Sequence, residues 1–311
     1  MKYSGIGGQA VMEGVMMKNQ DNYAIAVRTP QNKIEIEKKK YQGAAKNKKL
    51  QKIPLVRGVV NFVDSLVLGM SSLTFSASFY EDEEPKKEEL TDAQKAKKKK
   101  TEDAQMGATV ALSILLAIAI FMILPLWLSR LFAGFGLSET WVAVLEGVFR
   151  LLIFFAYMIG ISFMKDIQRV FMYHGAEHKC INCIEHGMDL TVENVRKSSR
   201  LHKRCGTSFL FLVIIISVVL FIFIRVDSPL MRVVVRLLLI PVIAGIAYEF
   251  IRLAGNTENP LVAWLSKPGL LLQRLTTREP DDDMIEVGIA SVEAVFDWKT
   301  FVEEVRNENE K

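Results

Sequence analysis

The side chains best suited to bind a transition metal are concentrated in one short part of the sequence. Three of the four histidines and two of the three cysteines lie in the run MYHGAEHKCINCIEHG, from Met172 to Gly187. The remaining pair, His202 and Cys205, follows shortly after it. Because imidazole and thiolate groups are the preferred ligands of such metals, this crowding predicts a metal site.

The first of two patterns in this stretch is H-x-x-E-H, formed by His174, Glu177 and His178. Residues i and i+4 of a helix share a face, so both imidazoles can reach one ion. Glu177 comes to the same face, where it can act on a metal-bound water, as in the inverted zincin arrangement. Since a bound metal lowers the pKa of water to about 7, the chemistry that this pattern predicts is hydrolysis.

The second pattern pairs Cys180-x-x-Cys183 with His202-x-x-Cys205 across 18 intervening residues. This spacing is typical of structural zinc knuckles, with one histidine in place of a cysteine. Four protein ligands would leave no coordination position for water, so the metal would only stabilise the fold of the loop. A third interpretation needs no metal and treats the segment as a loop held by hydrogen bonds.

The elements around these residues are those of a membrane protein. Half of the residues are hydrophobic, and long uncharged runs alternate with strongly basic ones. Four runs are long enough to cross about 30 Å of hydrocarbon: 107–128, 141–164, 208–225 and 231–253. We predict a mainly α membrane protein with four transmembrane helices. A small cytosolic α+β part would come from the N-terminal region, the central loop and the C-terminal tail.

Charge predicts the orientation of these spans. The 165–207 connection carries eight lysines and arginines, whereas 129–140 carries one arginine and 226–230 carries none. The positive-inside rule therefore places the basic loop and both termini in the cytoplasm of a multi-pass protein of the bacterial inner membrane. The cytosol is reducing, which agrees with unpaired cysteines.

The remaining segments complete the predicted domain organisation. NYAIAV and KIEIEKKK read as two strands joined by RTPQN. The predicted segments are an N-terminal soluble β-containing segment (1–58), an interfacial amphipathic helix (59–80), a charged linker (81–106), the four-span domain (107–253) with its metal-site loop (165–207), and an interfacial and cytosolic helical tail (254–311). The 59–80 segment lies between lysine-rich runs, so a true span would export one of them. A re-entrant segment is the alternative.

Charged residues inside the spans are costly and are usually paired. Glu146 stands one helical turn from Arg150, and Arg236 lies at a comparable depth on another span. We predict that these three side chains interact. Glu249 either pairs locally with Arg252 or has a functional role.

Several motifs resemble those of the YqhQ-like bacterial membrane proteins, and the resemblance covers nearly the whole chain. They are GIGGQAVMEGVMM, YHGAEHK followed by Cys183 and Glu185, RCGTSF from Arg204, and TTREPDDDMIEV from Thr276. This is a domain-of-unknown-function family whose members are labelled as predicted metal-dependent enzymes. The resemblance implies a ligand set of His174, His178, His202 and Cys205, with Cys183 as a further candidate.

The hypothesis that unites these features is an integral membrane metalloprotein with a cytosol-facing zinc site. Its cofactor would be zinc or another divalent transition metal, and Glu177 would be the general base of a hydrolase of unknown substrate. The alternative is a non-enzymatic adaptor that docks a ribosome or a membrane-insertion partner. The expected neighbours are the lipid bilayer and anionic lipid headgroups, and no nucleic-acid site is recognisable.

Overall fold

The computed structural model describes residues 2–41, 43, 52–80, 92–224, 226, 228–257 and 259–309. These residues are mainly helical, as the sequence predicted, and they include one four-stranded antiparallel sheet near the N terminus. The chain divides into two compact units. The first comprises Met1–Tyr80, Met158–Ile216 and Leu239–Lys311, and the second comprises Glu81–Tyr157 and Ser217–Leu238.

The sheet is a meander of four strands in the order β1 (Gly7–Val11), β2 (Gly14–Asn19), β3 (Asn22–Arg28) and β4 (Ile34–Lys40). The β3–β4 hairpin coincides with the two strands expected from the sequence. β1 and β2 were not expected, because their glycine-rich sequence is typical of a loop. Their two-residue turn includes Glu13 at a positive φ of 49°, as a type II turn requires at its second central residue.

Eleven helices and one π-helical turn follow in the described chain. They are α1 (Val56–Ala77), α2 (Asp92–Ile118), the π turn (Ala119–Ile123), α3 (Leu124–Ala133), α4 (Glu139–Ser162), α5 (Lys165–Glu185), α6 (Val192–Lys197), α7 (Gly206–Phe223), α8 (Pro229–Asn256), α9 (Pro260–Thr276), α10 (Asp282–Val295) and α11 (Trp298–Asn309).

Five of the described helices are long and apolar enough to cross a membrane, not four. They are α1, the continuous stretch Ala104–Ala133, α4, α7 and α8. The additional candidate is α1, whose mean hydropathy of 1.4 is the lowest of the five, the others lying between 2.1 and 2.8. This helix contains most of the segment 59–80, which the sequence predicted to be interfacial.

The predicted linker 81–106 differs in part from what the structure shows. Residues 92–106 belong to α2 and are helical, and residues 81–91 lie outside the described part of the chain. Lysine, glutamate and alanine favour helix, so a charged segment without an apolar period can still be helical once a span extends it.

Helices pack on both faces of the sheet. Alternate residues of its central strands face opposite sides, as the period of a strand dictates. One side joins α5, α10 and α11 in a core that includes Val15, Met17, Ala26, Tyr173, Ile181, Met284, Ile285 and Val302. The other side packs against α1 through Val11, Met16, Tyr23, Ile25, Val27 and Leu68. The N-terminal strands, the central α5 and the C-terminal helices therefore belong to one folded unit.

The predicted charge cluster is present in the second unit. Glu146 accepts hydrogen bonds from Arg150 at 2.9 Å and from Arg236 at 2.8 Å. Of the two alternatives for Glu249, the local pair with Arg252 is replaced by a long-range one: its carboxylate accepts a hydrogen bond from Arg57, with an Nε–Oε1 distance of 2.6 Å. α1 begins beside α8, and this long-range approach has no local sequence signal.

Gly175 of α5 provides a test of this packing. A Cβ at this position would overlap the backbone carbonyl oxygen of Arg278, which no side-chain rotation can relieve. We expect Gly175→Ala to lower the free energy of unfolding by about 1–3 kcal/mol, measured as thermal unfolding of detergent-solubilised protein. Gly160→Ala is the matched control: it also adds a methyl group to a helix, but into open space. Equal stability of the two variants would contradict this packing.

Candidate metal site

The site is built on the C-terminal half of α5. From Gly175 to Glu185 every residue of this helix is buried, so its polar side chains must find partners inside the protein. His174 and His178 lie one turn apart, with ring centroids 4.4 Å apart. The helical spacing predicted from H-x-x-E-H is therefore present, and both imidazoles occupy the same face.

Cys205 joins these two histidines. One ligand atom from each of His174, His178 and Cys205 lies within 4.8 Å of the other two. Over the residues that the structure describes, this is the group of histidine, cysteine and acidic side chains with metal-binding geometry. The cysteine immediately precedes α7, and its Sγ accepts a backbone N–H hydrogen bond from Thr207 at 3.4 Å.

Backbone carbonyls orient both imidazoles. The Nδ1 of His174 lies 2.9 Å from the Thr276 oxygen, and the Nδ1 of His178 lies 2.6 Å from the Arg200 oxygen. A carbonyl oxygen can only accept, so each Nδ1 carries the proton and each Nε2 remains available as a ligand. The Nε2 of His174 lies 3.3 Å from Cys205 Sγ. Carbonyl partners of this kind are the usual outer support of metal-binding histidines.

The electrostatics of the cluster suit a cation. Burial alone would raise the pKa of Cys205, but His174 and His178 outweigh it and hold that pKa well below its ordinary value. Burial would likewise lower the pKa of His178, yet the Cys205 and Glu177 charges raise it to about 9. The three groups therefore favour a thiolate beside protonated imidazoles. Those protons occupy positions that a divalent cation can take, and a thiolate with two imidazoles is a donor set that zinc binds.

Glu177 lies beside the cluster but is not among its three donors. Its Oε2 is 3.4 Å from His178 Nε2. Strand β1 comes close to it at Gly8, where a Cβ would lie 2.7 Å from the Glu177 Cγ and 2.7 Å from the Met16 oxygen. Only glycine fits there, which gives the glycine-rich N terminus a physical role that sequence reasoning did not identify.

The other predicted ligands lie outside the cluster. The Nε2 of His202 is 3.3 Å from Glu185 Oε2, although its ring centroid is only 5.7 Å from that of His178. Cys183 donates its S–H towards the Asp189 oxygen at 3.4 Å, and the Cys180 sulfur packs against Gly288. The structure therefore does not bring together the four side chains of the knuckle pattern.

Glu185 is a buried residue that sequence reasoning missed. Its carboxylate accepts hydrogen bonds from the backbone N–H and hydroxyl of Ser4, at 3.0 and 2.7 Å, and from Arg204 and His202. Burial would raise its pKa, but His202 and Arg204 lower it to about 2. Glu185 thus ties the N-terminal segment to the loop that carries Cys205. The one sequence signal was its place in a family motif, which did not indicate its partners.

The loop before Cys205 is held by backbone carbonyls. Lys179 donates to the carbonyls of Arg196 and Ser198, both at 2.9 Å, and Asn182 donates to those of Ser199 and Leu201, at 2.6 and 3.0 Å. Together with the His178 bond to Arg200, these contacts fasten residues 196–201 along the polar face of α5. Because this loop follows α5, Cys205 at its end lies beside His174 and His178.

A cavity of about 630 Å³ opens onto the cluster. Its walls include His174, Glu177, His178, His202 and Cys205. The rest of its lining comes mainly from the N-terminal glycine-rich segment, the sheet and the residues that follow it, from α1, and from the ends of α7 and α8. A volume of this size accommodates a small molecule or part of a larger one.

One protein family and one known protein are similar in sequence to this chain. The family described as "Protein of unknown function (DUF1385)" matches residues 53–298. The "Uncharacterized protein YqhQ" of Bacillus subtilis (strain 168) is 36% identical over 287 residues, which cover 92% of this chain and 90% of that protein. No solved structure matches.

The buried Glu185 predicts a specific dependence of stability on pH. Its pKa falls from 4.5 to about 2 on folding, so its stabilisation is fully present above about pH 4.5 and is lost as the pH falls towards 2. We expect Glu185→Gln to lower the free energy of unfolding by about 3 kcal/mol at pH 7. The difference from the wild type should shrink below pH 4.5, as measured by chemical unfolding.

Glu193→Gln is the matched control, since Glu193 is an exposed residue paired with Lys197 on the same helix. An exposed pair contributes at most about 1 kcal/mol. A Glu185→Gln effect as small as that of the control would contradict the structural role of Glu185.

Proposed function

The chain belongs to the DUF1385 family, which has no assigned activity, and we propose that it is a metal-dependent hydrolase of the bacterial inner membrane. Its active site would be a cytosol-facing zinc centre formed by His174, His178 and Cys205. The observation that carries this proposal is a three-donor cluster, with a carboxylate beside it, on the wall of a cavity.

The number of donors favours catalysis over a structural role. Structural zinc sites have four protein ligands, whereas catalytic sites have three and leave the fourth position for water or substrate. His202, the nearest additional candidate, is engaged with Glu185. A site with three protein ligands that faces a cavity supports the catalytic alternative.

Bound zinc supplies Lewis acidity and lowers the pKa of water to about 7. Glu177, beside His178, is placed to accept a proton from the attacking water. The water oxygen forms the new bond to the carbonyl carbon of an ester, and the bond from that carbon to the leaving oxygen breaks. Glu177 then passes the proton to the leaving oxygen, so that the products are an acid and an alcohol.

Chain order supports four spans rather than five. The sheet contacts α5 directly, so both lie on the same side of any membrane that the chain crosses. Three candidate spans separate them in the sequence: α1, Ala104–Ala133 and α4. An even number of these must cross. α1 is the least apolar and also packs against the sheet, which supports its assignment as the interfacial helix.

The same reasoning applies to the C-terminal half, because α10 also contacts α5 and is separated from it by two candidate spans, α7 and α8. Both termini and the 165–207 loop then share one side, and the basic residues of that loop support the cytoplasm. The bilayer and its anionic headgroups are the proposed neighbours.

Cysteine accessibility tests this topology. Lys33→Cys, before α1, and Ser78→Cys, after it, should both react with a membrane-impermeant maleimide only after the cells are opened. Ser138→Cys, between α3 and α4, should react in intact spheroplasts. Wild-type protein provides the background from the three native cysteines, which are buried. Labelling of Lys33→Cys and Ser78→Cys from opposite sides would show that α1 crosses the membrane.

Metal analysis tests the ligands. We expect purified wild-type protein to contain about one zinc ion per chain, as measured by elemental analysis. The His174→Ala, His178→Ala double variant should lose it, because too few donors remain. His186→Ala is the matched control, since this histidine is exposed on the same segment and lies outside the cluster.

The two cysteines separate this cluster from the knuckle pattern. Cys205→Ser should lose zinc, and Cys183→Ser should retain it, since Cys183 lies in the core away from the donors. Metal-free wild-type protein, or zinc loss in Cys183→Ser with retention in Cys205→Ser, would refute the proposed ligand set.

Glu177→Gln tests the hydrolytic role. The amide keeps the shape of the side chain but cannot accept the proton, so zinc should remain while turnover of chromogenic esters falls by about 10²–10⁴-fold. Glu279→Gln is the control, because Glu279 is an exposed carboxylate of the same unit that pairs with Lys179. Undiminished turnover in Glu177→Gln would contradict the proposed general base, and the adaptor alternative predicts that this variant retains function.

A further inference from the structure

The length of α7 determines the depth of the site. This helix has 18 residues, Gly206–Phe223, with a mean hydropathy of 2.8. At 1.5 Å per residue it extends about 27 Å, which is close to the ~30 Å thickness of the hydrocarbon core. The whole helix is needed to cross, so Gly206 must lie at the edge of the hydrocarbon. Cys205, the adjacent residue, then lies at the level of the lipid headgroups.

α1 presents different faces to the cavity and to its surroundings. Asn61, Asp64 and Ser65 line the cavity. The other side of the helix carries a continuous exposed apolar stripe composed of Val63, Leu66, Val67, Met70 and Leu73. Such a helix suits the plane of a membrane interface, with its stripe in the lipid. Because the polar side of the same helix forms a cavity wall, the cavity lies at the headgroup level too.

The cavity lining is itself amphipathic. Phe62 of α1 and Phe209 of α7 contact each other there, with ring centroids 5.5 Å apart, and Ile251 of α8 also contributes to the wall. The same lining is also charged, with Lys18 and Arg204 as basic groups and Asp21, Asp64 and Glu177 as acidic ones. Apolar walls at the ends of two candidate spans, with charged and amide groups from the soluble elements, match a molecule with one apolar and one polar end.

We infer that the substrate of this site is a membrane glycerolipid. Its head group lies in the cavity beside the His174, His178 and Cys205 cluster, and its acyl chains remain in the bilayer along Phe62, Phe209 and Ile251. The ester bonds of a glycerolipid lie at the boundary between headgroup and hydrocarbon, which is the depth that α7 assigns to Cys205. This inference names the substrate class of the proposed hydrolase and rests on that function.

Photocrosslinking tests the lipid directly and does not require turnover. Full-length protein is reconstituted into nanodiscs of phosphatidylethanolamine and phosphatidylglycerol. The nanodiscs contain a phosphatidylglycerol probe with a diazirine near the carbonyl end of one acyl chain. After irradiation and digestion, we expect mass spectrometry to find adducts on Phe62, Phe209 or Ile251. Adducts confined to the exposed stripe of α1, with none on these cavity residues, would overturn the inference.

A matched pair of variants separates cavity binding from general lipid contact. Ser65→Trp places an indole in the cavity and should lower the cavity adducts about tenfold, equivalent to ~1.4 kcal/mol. Ser71→Trp makes the same substitution on the same helix at an exposed position outside this cavity, and should leave the adducts unchanged. Equal labelling of both variants would also overturn the inference.

Two further experiments show whether the ligand comes from the bilayer or from solution, and which of the two proposals fails. Excess glycerol phosphate in the aqueous phase should leave the labelling unchanged. Loss of the labelling in its presence would indicate that the cavity binds a water-soluble ligand instead. The His174→Ala, His178→Ala variant should still be labelled, because the lipid is held by the cavity walls. If the wild type binds zinc but shows no cavity adducts, only the lipid substrate is refuted. If it shows cavity adducts but contains no zinc, the proposed zinc hydrolase is refuted and a lipid-binding site remains.

Discussion

The candidate site depends on the burial of the polar face of α5. A buried polar group without a partner costs about 1–3 kcal/mol, and this face presents His178, Lys179 and Asn182 in adjacent positions. All three find backbone carbonyls between Arg196 and Leu201. The chain after α6 must therefore follow α5 closely, and that path leads Cys205 to the histidines. The hydrogen bonds that satisfy the buried polar groups of α5 therefore also position the His174, His178 and Cys205 cluster.

Sequence reasoning succeeded where the geometry is local. His174, Glu177 and His178 share a helical face because their spacing follows the helical period, which any i, i+4 pair reveals. The pairing of Glu146 with Arg150 was predictable for the same reason. Glu249 shows the limit of that approach, since its partner Arg57 is 192 residues away. Local spacing favoured Arg252, and only tertiary packing selects Arg57.

The ligand set shows a similar division. His202 and Cys205 were equally plausible from their spacing, yet only Cys205 reaches the cluster. The His202 imidazole instead contacts Glu185, whose carboxylate also accepts a hydrogen bond from Ser4 near the N terminus, 181 residues away. The glycine-rich N terminus was likewise hard to interpret, because Gly8 is required by the approach of Glu177 rather than by a turn. The strands β1 and β2 are stabilised by the helices that pack on them, and their glycines weaken the local strand signal.

The carbonyl oxygen that orients His174 belongs to Thr276, which is synthesised 102 residues later. A ribosome completes α5, and then α7 and α8, before the segment that aligns this imidazole exists. The two histidines and the cysteine therefore cannot adopt their final arrangement during most of translation. Assembly of this cluster is therefore a late event, limited to chains whose C-terminal segment has been synthesised and folded.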